Sequence, residues 1–549
     1  MSLNVNVGIV GHVDAGKTTI AKALSTVAST AAFDKHPQSQ QRGITLDLGF
    51  SSFTLDLCDD EDTMVTTSKI EPNAYIPPKP KQVQVTLVDC PGHASLLRTI
   101  IGGAQIIDMM ILVIDATKGV QAQTAECLMI AEITTQNMII VLNKLDLLPM
   151  EGRAEKLEKL TKGLRKALAN TKFADAAIVP VCGRAKADVQ NANGNMDALI
   201  KEIRRLVPFP QQSAAGPFLF AIDHCFTIKG QGTILTGTVL RGSIKLGENI
   251  AIAGICERKV KTMQSFRKPV QSAKQGDRVG ICVPHFDSDN VERGLAFTPG
   301  TVKYAHAAII DVHKVRVFKR ECYSRSKIHV TVGYATTTAT ITFFSGPSQD
   351  DFNAGKMYLY EGGLQDDQPD KSQWALLEFD HPVEAPDHAL VIGSRLDMDI
   401  SLNTCRLAFH GHLRFLVSDK DYQLNVLPKL KIYKLKEKTG MIDRIVDNET
   451  VIVKNMFKKD SDVELFLRMN VSVITGATGY IESRFGQGGK VKVRFDSGVP
   501  DCLHKPAVGI ERNADKVSKS AAQSDSSIVL LRYKKFVYDK TAKITQGDP

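Results

Sequence analysis

GHVDAGKT, Gly11 to Thr18, stands directly behind the apolar run VNVGIV. It fits the spacing G-x-x-x-x-G-K-[ST], a glycine-rich turn that joins a strand to a helix. Backbone N–H groups of such a turn wrap phosphate oxygens, and the positive end of the following helix faces them. Gly11, His12, Val13, Asp14, Ala15 and Gly16 would form the wrap. Lys17 would reach the β- and γ-phosphates, Thr18 would set its hydroxyl on Mg2+, and Thr19 carries the cradle into the helix.

A strand–turn–helix opening predicts an α/β domain, and the first 200 residues keep that rhythm. VNVGIV, QVQVTLVD, MMILVIDAT and MIIVLNKLD read as buried strands, each followed by polar or amphipathic stretches, as in a parallel sheet with crossover helices. The polar, proline-bearing stretch Asp56 to Lys81 reads as a surface loop.

More chemistry sits at the strand ends. DCPGH begins at Asp89, where a carboxylate can hold Mg2+ through water, and the Gly92 N–H can swing toward a γ-phosphate. NKLD, Asn143 to Asp146, supplies a guanine reader. Asp146 accepts from the ring N1–H and the 2-amino group, which adenine cannot offer; Lys144 lies over the base and Asn143 braces the phosphate loop. VPVCGR places Cys182, Gly183 and Arg184 where a fifth nucleotide element belongs, departing from the usual Ser-Ala-Lys. In QRGIT, Thr45 is a second hydroxyl for Mg2+, ordered when the γ-phosphate is present. These motifs, in this order, predict GTP/GDP binding.

From Pro217 the texture changes to short β-branched runs separated by glycines, as in antiparallel barrels. The expected fold is therefore multidomain, α/β followed by β. Residues 1–212 form a P-loop GTPase domain, 217–300 a β-barrel, 301–416 a second barrel with a mobile insertion at 346–373, and 417–549 a basic β-rich domain. SKSAAQSDSS, from Ser518, reads as a flexible loop in the last of these.

At 549 residues, 43% hydrophobic and 23% charged, the composition is that of a soluble multidomain protein. The ten cysteines include no C-x-x-C pair, which argues against zinc or a disulfide framework and for a reducing compartment. Neither a signal peptide nor a membrane span is read, so a cytoplasmic monomer is expected. KYAHAAIIDVHKVRVFKR and the basic C-terminal block leave a nuclear share open. Residues 417–549 hold 24 Lys and Arg against 17 Asp and Glu, most of the chain's net +9. With Tyr433, Phe457, Phe485, Phe495, Tyr533, Phe536 and Tyr538, that block suits RNA contact; a protein-binding or stabilising barrel is the alternative.

GHVDAGKT, RGIT, DCPGH and NKLD together resemble the GTP-binding domain of translational GTPases of the elongation factor Tu class. The resemblance implies that His93, after DCPG, orients the attacking water; a passive loop histidine is the alternative. Asp14 would help hold a monovalent cation at the phosphate loop, or would only shape that loop. PFLFAIDHCFTIKGQGTILTGTVLRGSIKLGE resembles the opening of the family's second domain, which holds the aminoacyl end of tRNA. Asp223-His224 replaces the Glu-Asp of elongation factor Tu, and Arg278 in QGDRVGICV replaces its asparagine.

A histidine and an arginine would suit an amino acid that is an anion at neutral pH, and a selenol ionises more readily than a thiol. STAAFDKHPQSQQRGITLDLGFSSF, LVDCPGHASLLRTIIGGAQIIDMMILVID and LAFHGH are also similar to the eukaryotic selenocysteine-specific elongation factors. That likeness implies an amino-acid pocket of Asp223, His224 and Arg278, with Asp223 on the α-amino group. It implies as partners selenocysteyl-tRNA, the ribosome and a protein bound to the selenocysteine insertion element of the messenger. A general aminoacyl- or initiator-tRNA carrier, and a regulatory GTPase without RNA cargo, are the competing readings.

IDHCF, Ile222 to Phe226, superficially offers a thiol nucleophile. In a regular strand, neighbouring side chains point to opposite faces, so Asp223, His224 and Cys225 cannot converge as a triad. Cys225 reads as a small buried core residue.

Overall fold

The computed structural model describes residues 3–25, 27–28, 48–57, 82–93, 97–183, 195–208, 213–291, 293–333, 335–347, 351–399, 404–473, 476–486, 488–500, 527–539 and 544–547. They divide into two compact units. One comprises residues 1–342, 363–368 and 373–420, and the other 343–362, 369–372 and 421–549.

The first unit begins with a seven-stranded sheet. Its strands are β1 (Leu3–Gly11), β2 (Val27–Ala28), β3 (Gly49–Asp56), β4 (Gln82–Asp89), β5 (Met109–Asp115), β6 (Asn137–Asn143) and β7 (Ala177–Pro180), in the spatial order β2-β3-β4-β1-β5-β6-β7. β4, β1, β5, β6 and β7 run parallel. Their near-continuous Val, Ile and Leu content follows from burial on both faces. Helices α1 (Lys17–Leu24) and α5 (Met196–Leu206) turn Ile20, Ala21, Leu24, Leu199 and Ile203 into one core with β1, β4 and β5. α2 (Leu97–Ala104), α3 (Ala122–Thr134) and α4 (Arg153–Leu168) complete the helices of this domain among the described residues.

β3 was not among the runs that sequence marks as strands. Ser51, Ser52 and Thr54 interrupt its apolar residues, yet it pairs antiparallel with β4 over eight positions, Gly49 opposite Asp89 through Asp56 opposite Gln82. Tertiary packing overrides a weak local signal here.

Next comes an antiparallel eight-stranded sheet around a core that includes Phe218, Phe220, Ile222, Leu235, Val239 and Ile281. Its central hairpin is β8 (Leu219–Ile228) and β9 (Gly232–Arg241), and the strand Arg278–Val283 lies on the other side of β9. A third sheet closes on itself as a ring of six: Lys327–Val332, Leu390–Ser394, Leu407–Val417, Lys303–Asp311, Lys371–Ala385 and Ala335–Pro347, the last pairing back to the first. Closure leaves no exposed edge to aggregate. The barrel is tied to α3 by a buried ion pair. Arg406 donates from Nε and Nη2 to Glu126 at 2.9 and 2.8 Å, with both residues under 10% exposed.

The second unit holds another six-stranded ring. Ile432–Ile445, Thr450–Lys454, Lys490–Arg494, Thr478–Phe485, Asn470–Val473 and Ile528–Phe536 pair in that order, and the last returns to the first through nine antiparallel partners. Val451, Val453, Phe466, Ile481, Val493 and Leu531 fill its interior.

The expected mobile insertion at 346–373 takes a different form. Tyr358–Tyr360 is a strand that pairs parallel with Ile432 and Tyr433, and Phe344, Phe352 and Tyr358 cluster edge-on and stacked. Residues 343–362 and 369–372 thus group with the C-terminal barrel. Strand pairing and this aromatic cluster order part of a stretch whose polar composition reads as a loop. Of the two expected loops, residues 58–81 of the first and 518–526 of the second lie outside the described residues. No helix among the described residues is long and apolar enough to cross a membrane.

Candidate functional site

The turn after β1 is shaped by backbone that only some residues adopt. Gly16, at the start of α1, has φ 91°, and a Cβ there would lie 2.1 Å from Asn143 Nδ2. That φ and the approach of Asn143 at the end of β6 together call for glycine. Asp14 is exposed, with φ 58°, and contributes to the turn's left-handed bend. Ala15 is buried, and its N–H donates to the His12 carbonyl. The Val13 N–H points to Gln123 Oε1 of α3 at 3.5 Å.

Lys17 is 6% exposed and donates from Nζ to the His12 carbonyl at 2.8 Å. Burial lowers its pKa, and the Asp89 carboxylate opposes that shift. Thr18 donates its hydroxyl to Asp89 Oδ2 at 2.6 Å, joining the turn to the end of β4. A Cβ on Gly92 would lie 2.2 Å from Lys17 Nζ, so a larger residue there would displace the ammonium. His93 follows, exposed. Thr18 and Asp89 offer the hard oxygen donors that Mg2+ takes. Thr45 and Arg184 fall outside the described residues.

The residues expected to read the base form a small network. Asn143 Nδ2 donates to the Ala15 carbonyl at 2.9 Å, and its Oδ1 accepts from the Gly183 N–H at 3.0 Å. Thr19 flanks Gly183 from α1, its methyl 3.3 Å from where a Cβ would be. Lys144 adopts φ 64°, and its Nζ pairs with Asp115 at 2.9 Å. Burial alone would raise the Asp115 carboxyl, but bonds from Thr117 and Lys144 outweigh it and hold the pKa below the usual range. Cys182 donates its thiol to Asp146 Oδ1 at 3.2 Å. Sequence reading missed Asp115, which ends β5 in register with Asn143 at the end of β6.

The second constellation lies on the β8–β9 hairpin. Ile222 pairs with Gly237 and His224 with Thr236, which leaves Asp223 as the extra residue of a β-bulge. Asp223 and His224 therefore sit inside a strand rather than at its end. Gly237, in LTGT, is mid-strand, where a Cβ would strike the Ala221 carbonyl at 1.8 Å. Close approach, not a turn, requires this glycine. Asp223 is fully buried, and Arg278 Nη1 donates to its Oδ2 at 2.6 Å and lies 3.4 Å from Thr238 Oγ1. Arg278 opens its own strand, and the turn before it is pinned to β1 by Asn4, whose amide donates to the Gly276 carbonyl at 3.0 Å. Cys225 is half-buried, and its thiol is pushed up to about 11 by burial, with Asp287 and Asp289 adding to the shift. A protonated thiol at neutral pH is no nucleophile.

A curated relative, the selenocysteine-specific elongation factor of Mus musculus, is 46% identical over 532 residues, covering 90% of this chain and 89% of that one. The chain belongs to the selenocysteine-specific elongation factors. A namesake from Methanocaldococcus jannaschii is 35% identical over 62% of this chain and 66% of its own length. Residues 2–225 match the elongation factor Tu GTP-binding domain, 309–411 the third domain of eukaryotic selenocysteine-specific elongation factors, and 428–542 their C-terminal RIFT domain. This member of the family is a translational GTPase that binds guanine nucleotide. The fold is shared with translation elongation factor SelB from Methanococcus maripaludis, solved in complex with the GTP analogue GppNHp. The TM-score is 0.69 at 23% identity, over 98% of this chain and 100% of that one.

Proposed function

We propose that this elongation factor binds selenocysteyl-tRNA in its GTP form, carries it to the ribosome at recoded UGA codons, and releases it on hydrolysis. The observation that carries this reading is the Asp223–Arg278 pair at 2.6 Å beside His224. A charged tRNA presents an α-ammonium and, for selenocysteine alone, an anionic side chain. Asp223 takes the ammonium, and Arg278 with His224 takes the selenolate. A neutral serine brings no anion to the guanidinium and imidazole, so it gains none of the attraction that the selenolate gains. The general-carrier reading gains nothing from an arginine at this position.

In the nucleotide site, Lys17 meets the β- and γ-phosphates, Asn143 braces the loop, and Asp146 reads guanine with Lys144 over the ring. Cys182, Gly183 and Arg184 close the base side. Thr18, Thr45 and Asp89 hold Mg2+, which supplies charge neutralisation on the phosphates when bound. Asp14 offers a carboxylate to a monovalent cation. His93 orients the attacking water. The C-terminal barrel meets the protein bound to the selenocysteine insertion element. Cation–aromatic pairs in this unit support such a contact: Lys434 lies 3.7 Å over the half-buried Tyr360 ring, and the exposed Arg444 lies 5.5 Å from the exposed Phe485. The work is cytoplasmic, where ribosomes translate, with some passage through the nucleus.

Equilibrium binding with a non-hydrolysable GTP analogue tests the cargo. Selenocysteyl-tRNA should bind at least about a hundredfold more tightly than the same tRNA carrying serine; equal affinities would refute the reading. Cross-linking of the assembled complex should place the element-bound protein on residues 421–549. Cross-links confined to the GTP-binding domain would overturn that placement.

A further inference from the structure

No nucleotide motif and no part of the barrel resemblance includes Phe50, the second residue of β3. It is fully buried, and its ring lies against two residues of another domain. The Arg278 guanidinium carbon sits 3.6 Å from the ring centroid, and the His224 imidazole meets the ring edge-on at 5.8 Å and 85°. Arg278 is thereby held on two sides. Its edge donates to Asp223, and its flat face rests on the phenyl, where the ring quadrupole attracts a cation. Both contacts favour this placement of the guanidinium over one turned toward water.

Phe50 also stands next to the nucleotide chemistry. In the β3–β4 ladder Phe50 is opposite Val88, and the preceding Gly49 is opposite Asp89, whose carboxylate accepts the Thr18 hydroxyl. One rung of backbone therefore separates the phenyl from the residues assigned to Mg2+.

We infer that Phe50, supplied by the GTP-binding domain, is a specificity-determining positioning residue of the amino-acid pocket: its ring aims Arg278 and His224 at the anionic side chain. This rests on the cargo assigned above. The pocket is then completed by two domains, and its selectivity is a property of their junction.

The test uses the full-length protein with a non-hydrolysable GTP analogue and measures affinities for selenocysteyl- and seryl-tRNA. Phe50→Leu keeps an apolar side chain but removes the aromatic face. Its selectivity should fall about tenfold, with nucleotide affinity within twofold of the parent. Phenylalanine analogues at position 50 carrying one, two and three ring fluorines keep the shape and weaken the quadrupole. Selectivity should fall stepwise along that series, a response that mere space-filling would not give. Unchanged selectivity in Phe50→Leu overturns the inference, as does a flat response across the fluorinated series. If Phe50→Leu does not fold, the series alone decides. A parent protein that does not separate the two tRNAs overturns the cargo assignment and this inference together, whereas a selective parent with a flat series overturns only this one.

Discussion

The nucleotide site and the proposed amino-acid pocket are built in opposite ways. The first collects residues from the carboxyl ends of neighbouring strands of one sheet: the turn after β1, Asp89 closing β4, Asn143 closing β6 and Gly183 beyond β7. Each contribution is a short run of consecutive residues. The second takes one residue from a bulge in β8, one from the start of a strand 55 positions later, and a phenyl from a different domain. Phosphates are bound mainly by backbone N–H groups, so a loop must be spelled out residue by residue. A side chain of particular charge is bound by side chains, which can arrive from anywhere the fold brings them.

That difference sets how far each site can be broken by one substitution. The largest effect belongs to the step that depends on a single positioned group. His93→Ala should lower ribosome-stimulated GTP hydrolysis by about a thousandfold, within the range for one acid–base or water-orienting side chain. GTP affinity should stay unchanged, since His93 is exposed beyond Gly92 and the phosphate loop is held by Lys17, Asn143 and backbone. Single-turnover hydrolysis on ribosomes measures this, and turnover at the parent rate would remove His93 from catalysis.

Legibility follows the same division. Strand-end motifs could be read directly, because G-x-x-x-x-G-K-[ST] and N-K-x-D encode backbone shape and base chemistry in adjacent letters. The α/β rhythm and the change to barrels at Pro217 were legible for the same reason, since hydrophobic period is local. Asp115 was not, because its partner Lys144 is reached only through the parallel register of β5 and β6. That Asp223 and Arg278 come together was legible through family resemblance alone. Nothing in IDHCF announces a bulge, and the rule of alternating faces fails at that point, where an extra residue enters the strand. Phe50 escaped both routes, being neither in a motif nor at a position whose role the resemblance carried. The stretch 346–373 misled because its Asp, Gly and Gln residues outnumber the few aromatics that cluster in it.

Arg278→Ala sharpens the comparison, because in the pocket stability and selectivity rest on the same pair and must be separated. The substitution leaves the fully buried Asp223 carboxylate without its guanidinium. Removing one partner of a buried ion pair costs about 3–5 kcal/mol, so chemical denaturation should show a loss of that order. Selectivity for selenocysteyl- over seryl-tRNA should also fall, by about thirtyfold, as a charge-assisted contact to the side-chain anion disappears. The pair Asp223→Asn with Arg278→Ala distinguishes the two effects. Removing the buried charge should recover most of the stability while leaving selectivity low. Both tRNAs present the same α-ammonium, so whatever Asp223 contributes to binding cancels in their ratio. If selectivity returns along with stability, Arg278 merely supports the fold and the discriminating charge lies elsewhere.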